Sequence, residues 1–163
     1  MDAIRWMMGE VAPVAISAHG GKFILDHDGD IPDTMEVVFE FASRKIISFG
    51  IYEGSGGEAL PYGEVELRGT SGNLYVDERG YKIVPSKKGQ FQTWDSTIKA
   101  EEVKNTNPEL GDGSSSDSTS GMINNFLDCV KSRQTPLCTL EDGHRSTSFA
   151  HLANIALATQ ERL

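Results

Sequence analysis

Acidic residues and histidines are the side chains of this sequence that could do chemistry on their own. Asp26, Asp28 and Asp30 alternate through a polar stretch. A calcium loop of the EF-hand type needs glycine at its sixth position and glutamate at its twelfth. Here Gly29 is fourth and Val37 is twelfth, counted from Asp26. The stretch is therefore interpreted as a solvated turn, and no metal site is predicted.

His19 is the strongest ligand-binding candidate among the four histidines. It ends an apolar run and precedes Gly20 and Gly21, and a glycine without a Cβ lets the backbone approach a ligand closely. His144 and His151 are seven residues apart, whereas joint metal ligation on a helix favours i and i+4. We expect both of these to be surface residues.

Composition and missing motifs exclude several function classes for this chain. Fifteen Lys and Arg stand against 24 Asp and Glu, which argues against a partner such as nucleic acid or an anionic membrane. No GxGxxG or GxxxxGK[ST] motif is present, so no nucleotide site is predicted within the chain. Cys129 and Cys138 are interpreted as reduced thiols, and a cytoplasmic location is expected.

The elements that must position these residues are strands first and helices afterwards. Met35, Val37, Phe39 and Phe41 alternate with mostly polar residues, a period of two that predicts a strand. Similar alternation recurs around residues 47–51, 65–67, 74–76 and 81–84, with short turns between. Successive strands joined by such turns must be antiparallel, because a parallel crossover needs a dozen or more residues.

Two helices are predicted in the last third of the chain. Apolar residues at 122, 123, 126, 127 and 130 share one stripe, and a second stripe includes Phe149, Leu152, Ala153 and Ala156. Thr139 and Asp142 have the spacing of a capping box. The Ser-, Gly- and Asp-rich residues 105–120 are interpreted as a flexible loop, with a lid over a site as the alternative. Residues 1–163 are expected to form one α+β domain, in which a large, mostly antiparallel or mixed β-sheet packs helices on one face.

The first nine residues predict the last turns of a helix. Asp2 through Met8 are compatible with a helix, and Gly9 is the usual residue just past a helix end. No capping residue precedes Asp2. We therefore expect this segment to continue a helix of a longer parent protein.

Taken in order, the segments of the chain resemble the C-terminal domain of the Gfo/Idh/MocA oxidoreductases. The resemblance extends from Asp2 to about Arg162 and is carried by DAIRWMMG, PVAISAHGGKF, IPDTMEVVFEF, EVELRGTSGNLYVDERGYKIVP, NNFLDCVKSRQTP and GHRSTSFAHLANIAL. It implies a dihydrodipicolinate-reductase-like domain that follows a Rossmann domain in the parent. That parent would transfer hydride between NAD or NADP and a sugar or polyol. Its other expected contacts are other copies of itself, through the β-sheet face.

The resemblance also implies which residues belong to the site. The family's catalytic lysine and histidine have no counterpart in this chain, so no catalytic, cofactor-binding or metal-binding residue is assigned. Asp2 matches the aspartate of the family's His-x-x-Asp pattern. Asp2, Arg5, Trp6, His19 and Tyr62 are the predicted substrate-binding residues. Met122 stands where relatives often carry a histidine, which argues against a binding role for that helix.

Two other functions remain open on the sequence. The chain could be a stand-alone assembly or carbohydrate-binding module without catalysis. It could also be part of an NAD-dependent glycosidase, since a few members of the superfamily cleave glycosides on the same scaffold. In the main interpretation the isolated chain is catalytically inactive and does not bind NAD.

Overall fold

The computed structural model describes residues 1–26, 28–55, 64–77, 80–89, 93–104 and 116–163, and for 116–118 the backbone alone. The elements in chain order are α1 (Asp2–Met8), β1 (Ala15–Gly21), β2 (Thr34–Glu40), β3 (Ile46–Tyr52), β4 (Val65–Arg68), β5 (Gly72–Asp77), β6 (Gly80–Pro85), β7 (Glu101–Lys104), α2 (Ser116–Ser132) and α3 (Leu140–Thr159). Every strand pairing is antiparallel. The described residues thus confirm the predicted α+β class. Their strands are divided between a sheet of three (β1-β2-β3) and a sheet of four (β4-β5-β6-β7).

The chain contains two compact units. Unit 1 comprises Met1–Gly57 and Leu137–Leu163, and unit 2 comprises Glu58–Pro136. Unit 1 therefore holds α1, the three-stranded sheet and α3, whereas unit 2 holds the four-stranded sheet and α2. No helix in the described part of the chain has the length and apolar character needed to cross a membrane.

The hydrophobic core lies between α3 and one face of the three-stranded sheet. The predicted alternation is confirmed on β2, where Met35, Val37 and Phe39 are buried. The Phe149 ring of α3 lies between two aromatic rings, with centroids 5.2 Å from Phe39 and 6.0 Å from Phe41. The remaining buried members of this cluster are Ile16, Ala18, Ile47, Ala153 and Ala156. Small alanines on α3 let the helix axis come close to the strands.

Asp33 fixes the loop between β1 and β2. The residue is only 2% exposed. It accepts backbone N–H bonds from Leu25 at 2.8 Å, Ile24 at 2.7 Å and Phe23 at 3.0 Å, and a bond from the Thr34 hydroxyl. These donors, Leu25 first, hold the pKa of Asp33 far below its ordinary value. The charged form of one side chain thus replaces the backbone partners that a loop lacks.

Gly20 is required by the close approach of β1 to β2. A Cβ at this position would lie 2.1 Å from the Thr34 carbonyl oxygen, and φ is +155°. Any other residue would displace the β2 backbone, so the glycine is explained by strand pairing. The glycine beside His19 is therefore no longer an argument for a ligand at that position.

The C-terminus of α1 and the N-terminus of α3 are formed as the sequence predicts. Gly9 adopts a left-handed conformation, and its N–H bonds back to the carbonyls of α1. The Thr139 hydroxyl accepts a bond from the Asp142 N–H at 3.2 Å, and the Asp142 carboxylate accepts one from the Thr139 N–H at 3.0 Å. The predicted capping box is therefore confirmed at the start of α3.

Unit 2 differs from the prediction at the start of its helix. α2 begins at Ser116, so residues 116–120 of the predicted loop are helical, while 105–115 lie outside the described residues. Ser and Asp were interpreted as loop-forming there, yet both also favour the first turn of a helix. The apolar stripe predicted for α2 exists, but its members are exposed, Met122 to 65% and Phe126 to 61%.

Candidate substrate-binding site

Arg5 joins α1 to the N-terminal half of α3. Its side chain is only 10% exposed. Nε donates to the Ser146 Oγ at 3.3 Å, and Nη2 donates to Asp2 Oδ1 at 3.3 Å. Nη2 also lies 3.8 Å from Asp142 Oδ1. We call Asp2, Arg5, Asp142 and Ser146 the Arg5 network.

The Arg5 network is closed by contacts that do not involve the arginine. The Ser146 hydroxyl donates to Asp2 Oδ1. The pKa of Asp142 is below its ordinary value, chiefly because the Thr139 hydroxyl donates to its carboxylate at 2.7 Å. The Thr139 N–H and then Arg5 lower it further. One guanidinium therefore lies within ion-pair distance of two carboxylates.

This geometry changes the role predicted for Arg5 more than that for Asp2. The guanidinium is turned into the α1–α3 contact and is occupied by side chains of the same unit. The Asp2 side chain remains 62% exposed. Asp2 is thus available to a ligand, and Arg5 lies behind it as a support.

Sequence reasoning missed two members of this network. Ser146 was not singled out, and Asp142 was identified only as a capping residue. Both lie on one face of α3 because four residues separate them. That spacing marks a shared polar face, but it does not indicate that α1 would pack against it.

Trp6 points away from the Arg5 network. It is 77% exposed, although the neighbouring residue Arg5 is buried. A tryptophan this exposed can stack on a ligand or be covered by another protein surface. The structure therefore separates Trp6 from Arg5 and leaves its ring accessible.

His19 lies on the opposite face of the three-stranded sheet. Ile16 and Ala18 point into the core, so the alternation of β1 directs His19 outward, where it is exposed. Its partner across the strands is Glu36. The Glu36 carboxylate accepts the Tyr52 hydroxyl, which raises the pKa of Tyr52.

The structure brings Asp2 and Arg5 together but does not bring His19 to them. α1 and α3 pack on the core face of the sheet, whereas His19 is on the outer face. Tyr62, the fifth predicted residue, lies outside the described residues. In the described ranges there is no cluster of three or more His, Cys, Asp or Glu side chains suited to a metal ion. Cys129 and Cys138 are both free thiols.

Comparison with solved structures shows the fold. A Thermotoga maritima protein assigned as an oxidoreductase matches with a TM-score of 0.66 and 16% identity, over 99% of this chain and 43% of its own. GenD2 from gentamicin A biosynthesis, in complex with NAD, has a TM-score of 0.60 and 15% identity, over 99% and 44%. The WlbA dehydrogenase from Bordetella pertussis, in complex with NADH and UDP-GlcNAcA, has a TM-score of 0.55 and 14% identity, over 99% and 44%.

The chain spans less than half the length of these three proteins. No curated protein matches the chain significantly. A family model described as "Oxidoreductase family, C-terminal alpha/beta domain" matches residues 1–160. With this match over almost its full length, the chain belongs to the Gfo/Idh/MocA oxidoreductase family, as its C-terminal α/β domain.

Proposed function

We propose that residues 1–163 are one substrate-binding and oligomerisation domain of an NAD(P)-dependent sugar or polyol oxidoreductase, inactive in isolation. The observation that carries the proposal is the Arg5 network, which fixes the first turn of α1 and leaves the Asp2 carboxylate exposed. A rigidly held carboxylate can accept hydrogen bonds from substrate hydroxyls. The structures of GenD2 with NAD and of WlbA with NADH and UDP-GlcNAcA support the choice of cofactor and of a sugar-type substrate.

In the proposed mechanism this chain binds and orients, while residues outside it perform the chemistry. NAD(P), held by residues outside this chain, would supply the hydride acceptor for the carbon that bears the substrate hydroxyl, and an acid/base group outside this chain would take the hydroxyl proton. Asp2 orients that substrate, Arg5 supports Asp2, and Trp6 stacks on the sugar ring. The substrate contacts expected of His19 and Tyr62 stay predictions, and His19 lies on the face of its sheet that points away from Asp2 and Arg5. A cytoplasmic location also belongs to the proposal, supported by the two free cysteines.

The decisive experiment uses the full-length parent protein. It should be screened against neutral sugars, polyols and sugar acids with NAD and with NADP, following the nicotinamide absorbance. Asp2→Asn should raise the KM for the accepted substrate, because an amide oxygen is a weaker hydrogen-bond acceptor than a carboxylate. Glu161→Gln is the matched control, since Glu161 is an exposed carboxylate at the opposite end of the chain.

Several outcomes would contradict this proposal. Equal effects of Asp2→Asn and Glu161→Gln would remove Asp2 from the substrate site. Micromolar NAD affinity of the isolated chain, measured by calorimetry, would place the cofactor site within residues 1–163. Carbohydrate binding without any dehydrogenation by the parent would favour a binding module. Cleavage of glycosides by the parent would favour the NAD-dependent glycosidase.

Self-association is proposed through the outer face of the three-stranded sheet. This face carries Ile46, 63% exposed, and the half-exposed Val38 and Tyr52 beside polar residues. An exposed apolar group on a sheet face is suited to a symmetric contact with a second copy. In sedimentation, Ile46→Glu should associate more weakly than the unmodified chain. Leu140→Glu, at an exposed leucine on α3, should associate as the unmodified chain does. A chain that stays monomeric at high concentration would contradict the proposal.

A further inference from the structure

A groove in unit 1 runs between α3 and the segment that connects α1 to β1. Its volume is about 200 Å³. Of the predicted substrate-binding residues that the structure describes, none lines it. Pockets for drug-sized ligands have volumes of about 300–1,000 Å³, so this groove suits a smaller molecule. We call it the α3 groove.

One wall of the α3 groove is apolar and well supported. Its apolar lining includes the half-buried Pro13 and Leu152 and the fully buried Phe149. The Phe149 ring is held in the core by two neighbouring aromatic rings. This wall therefore keeps its shape without a ligand, which lowers the entropic cost of binding.

The polar residues that line the groove lie on α3 and carry no net formal charge. Glu141 and Arg145 form an ion pair at 2.6 Å. The Ser148 hydroxyl donates to the His144 carbonyl at 2.8 Å, which leaves its oxygen as an acceptor. Arg145 has further N–H donors beyond the one that faces Glu141. Donors and acceptors thus alternate along this rim without a free charge.

We propose that the α3 groove binds one neutral polyhydroxylated ring, of the size of a monosaccharide or a cyclitol. The C–H face of such a ring would lie on Pro13 and Leu152, and its hydroxyls would meet the rim formed by Glu141, Arg145 and Ser148. A carboxylate ligand would compete with Glu141 for Arg145 and meet a chain of net charge −9. The inference rests on the groove itself and is independent of the proposed dehydrogenase activity.

The test is an NMR titration of the isotope-labelled chain with methyl glucoside, myo-inositol and glucuronate. A single ring in a shallow groove should bind with a dissociation constant on the order of 1–10 mM. The neutral rings should cause saturable shifts confined to residues 11–13 and 141–152. Ala12→Trp should abolish these shifts by filling the groove, whereas Ala42→Trp, at an exposed alanine outside it, should leave them unchanged.

A charge change gives a second, independent readout. Glu141→Gln frees Arg145, so the affinity for glucuronate should rise relative to that for methyl glucoside. A merely structural role of Glu141 would not reverse this preference. Circular dichroism and thermal unfolding of each variant identify any that is misfolded.

Three results would overturn the inference. They are the absence of saturable shifts with either neutral ring, equal effects of the two tryptophan substitutions, and binding of an apolar probe such as cyclohexanol in place of the polyhydroxylated rings. The last result would identify the groove as a docking site for an apolar side chain. None of these three results affects nicotinamide-dependent turnover by the parent. The groove proposal can therefore be wrong while the dehydrogenase proposal holds, and the reverse.

Discussion

The three-stranded sheet of unit 1 and the four-stranded sheet of unit 2 are built on the same local pattern. Both are antiparallel, and apolar residues recur at alternate positions in both. In unit 1 the alternation separates buried from accessible residues, as on β2. In unit 2 every residue of β5 is half-buried, and no described side chain of the unit is fully buried.

The difference shows that alternation specifies a strand but not its burial. In unit 1, α3 presents Phe149, Ala153 and Ala156 to the sheet, and these side chains complete a core. In unit 2, the apolar residues of the α2 stripe are exposed to solvent. Hydrophobic stabilisation scales with the area removed from water, so the described residues of unit 1 should dominate the stability of the chain.

The largest expected effect comes from emptying the core of unit 1. Phe149→Ala should lower the free energy of unfolding by about 3–5 kcal/mol, because it leaves a cavity between two aromatic rings. The matched change in unit 2 is Phe126→Ala, at a phenylalanine that is 61% exposed. It should cost about 0.5 kcal/mol or less. Urea denaturation measures both, and equal costs would show that α2 is buried in solution.

The next largest effect should come from Asp33, through pH. The pKa of Asp33 is lowered in the folded chain, so its contribution is fully present above the ordinary carboxyl pKa of about 3.9. It should be lost as the pH falls below that value towards the folded-state pKa. Asp33→Asn should lower stability at neutral pH and flatten the dependence in acid. Asp95→Asn, at an exposed carboxylate of unit 2, should leave the stability at neutral pH and its acid dependence nearly unchanged. Identical pH profiles of stability for the two variants would contradict this prediction.

A smaller effect is expected from the ion pairs of the two units. Arg5→Ala should cost about 1–2 kcal/mol, because Asp2, Asp142 and Ser146 lose a shared, largely buried donor. Arg68 in unit 2 pairs with Glu66 at 2.8 Å, but its side chain is 77% exposed. Arg68→Ala should cost less than Arg5→Ala, because solvent screens an exposed ion pair. Thermal unfolding of the two variants measures both costs. A larger loss of stability in Arg68→Ala than in Arg5→Ala would contradict this expectation.

The smallest of the effects expected in unit 1 concerns the start of α3. Thr139→Ala should cost about 1 kcal/mol by removing the capping hydroxyl, whereas Thr139→Ser keeps that hydroxyl and most of the stability. Thr139→Ala should also raise the pKa of Asp142, since the hydroxyl is the main cause of its lowering. An NMR titration of the Asp142 carboxyl measures that change. An unaltered pKa in the alanine variant would assign the lowering to the Thr139 N–H and to Arg5 instead.

Local patterns were sufficient to predict most of the elements. The alternation from Met35 to Phe41, the end of α1 at Gly9 and the Thr139–Asp142 capping box are all confirmed. Each depends on interactions within a few residues along the chain, which the sequence displays directly. The predicted loop before α2 was five residues too long, because Ser and Asp favour both loops and helix N-termini.

The site was less predictable because its residues are far apart in the sequence. Asp2 and Arg5 could be named as neighbours on one helix turn, but their contact with Ser146 spans 144 and 141 positions. His19 could be placed at the end of a strand, yet which face it occupies depends on where α3 packs. No local signal shows which face of a sheet a distant helix will cover.

The sequence by itself thus determined the α+β class, most helix and strand positions and the family, since these follow from periodicity, capping and the order of motifs along the chain. Tertiary structure alone decided that Arg5 is buried against α3, that His19 faces away from it, and that only unit 1 has a core among the described residues. The physical reason is that burial and ion pairing depend on which distant surfaces meet. A strand or helix pattern offers a face for contact, and only the packed chain determines what covers it.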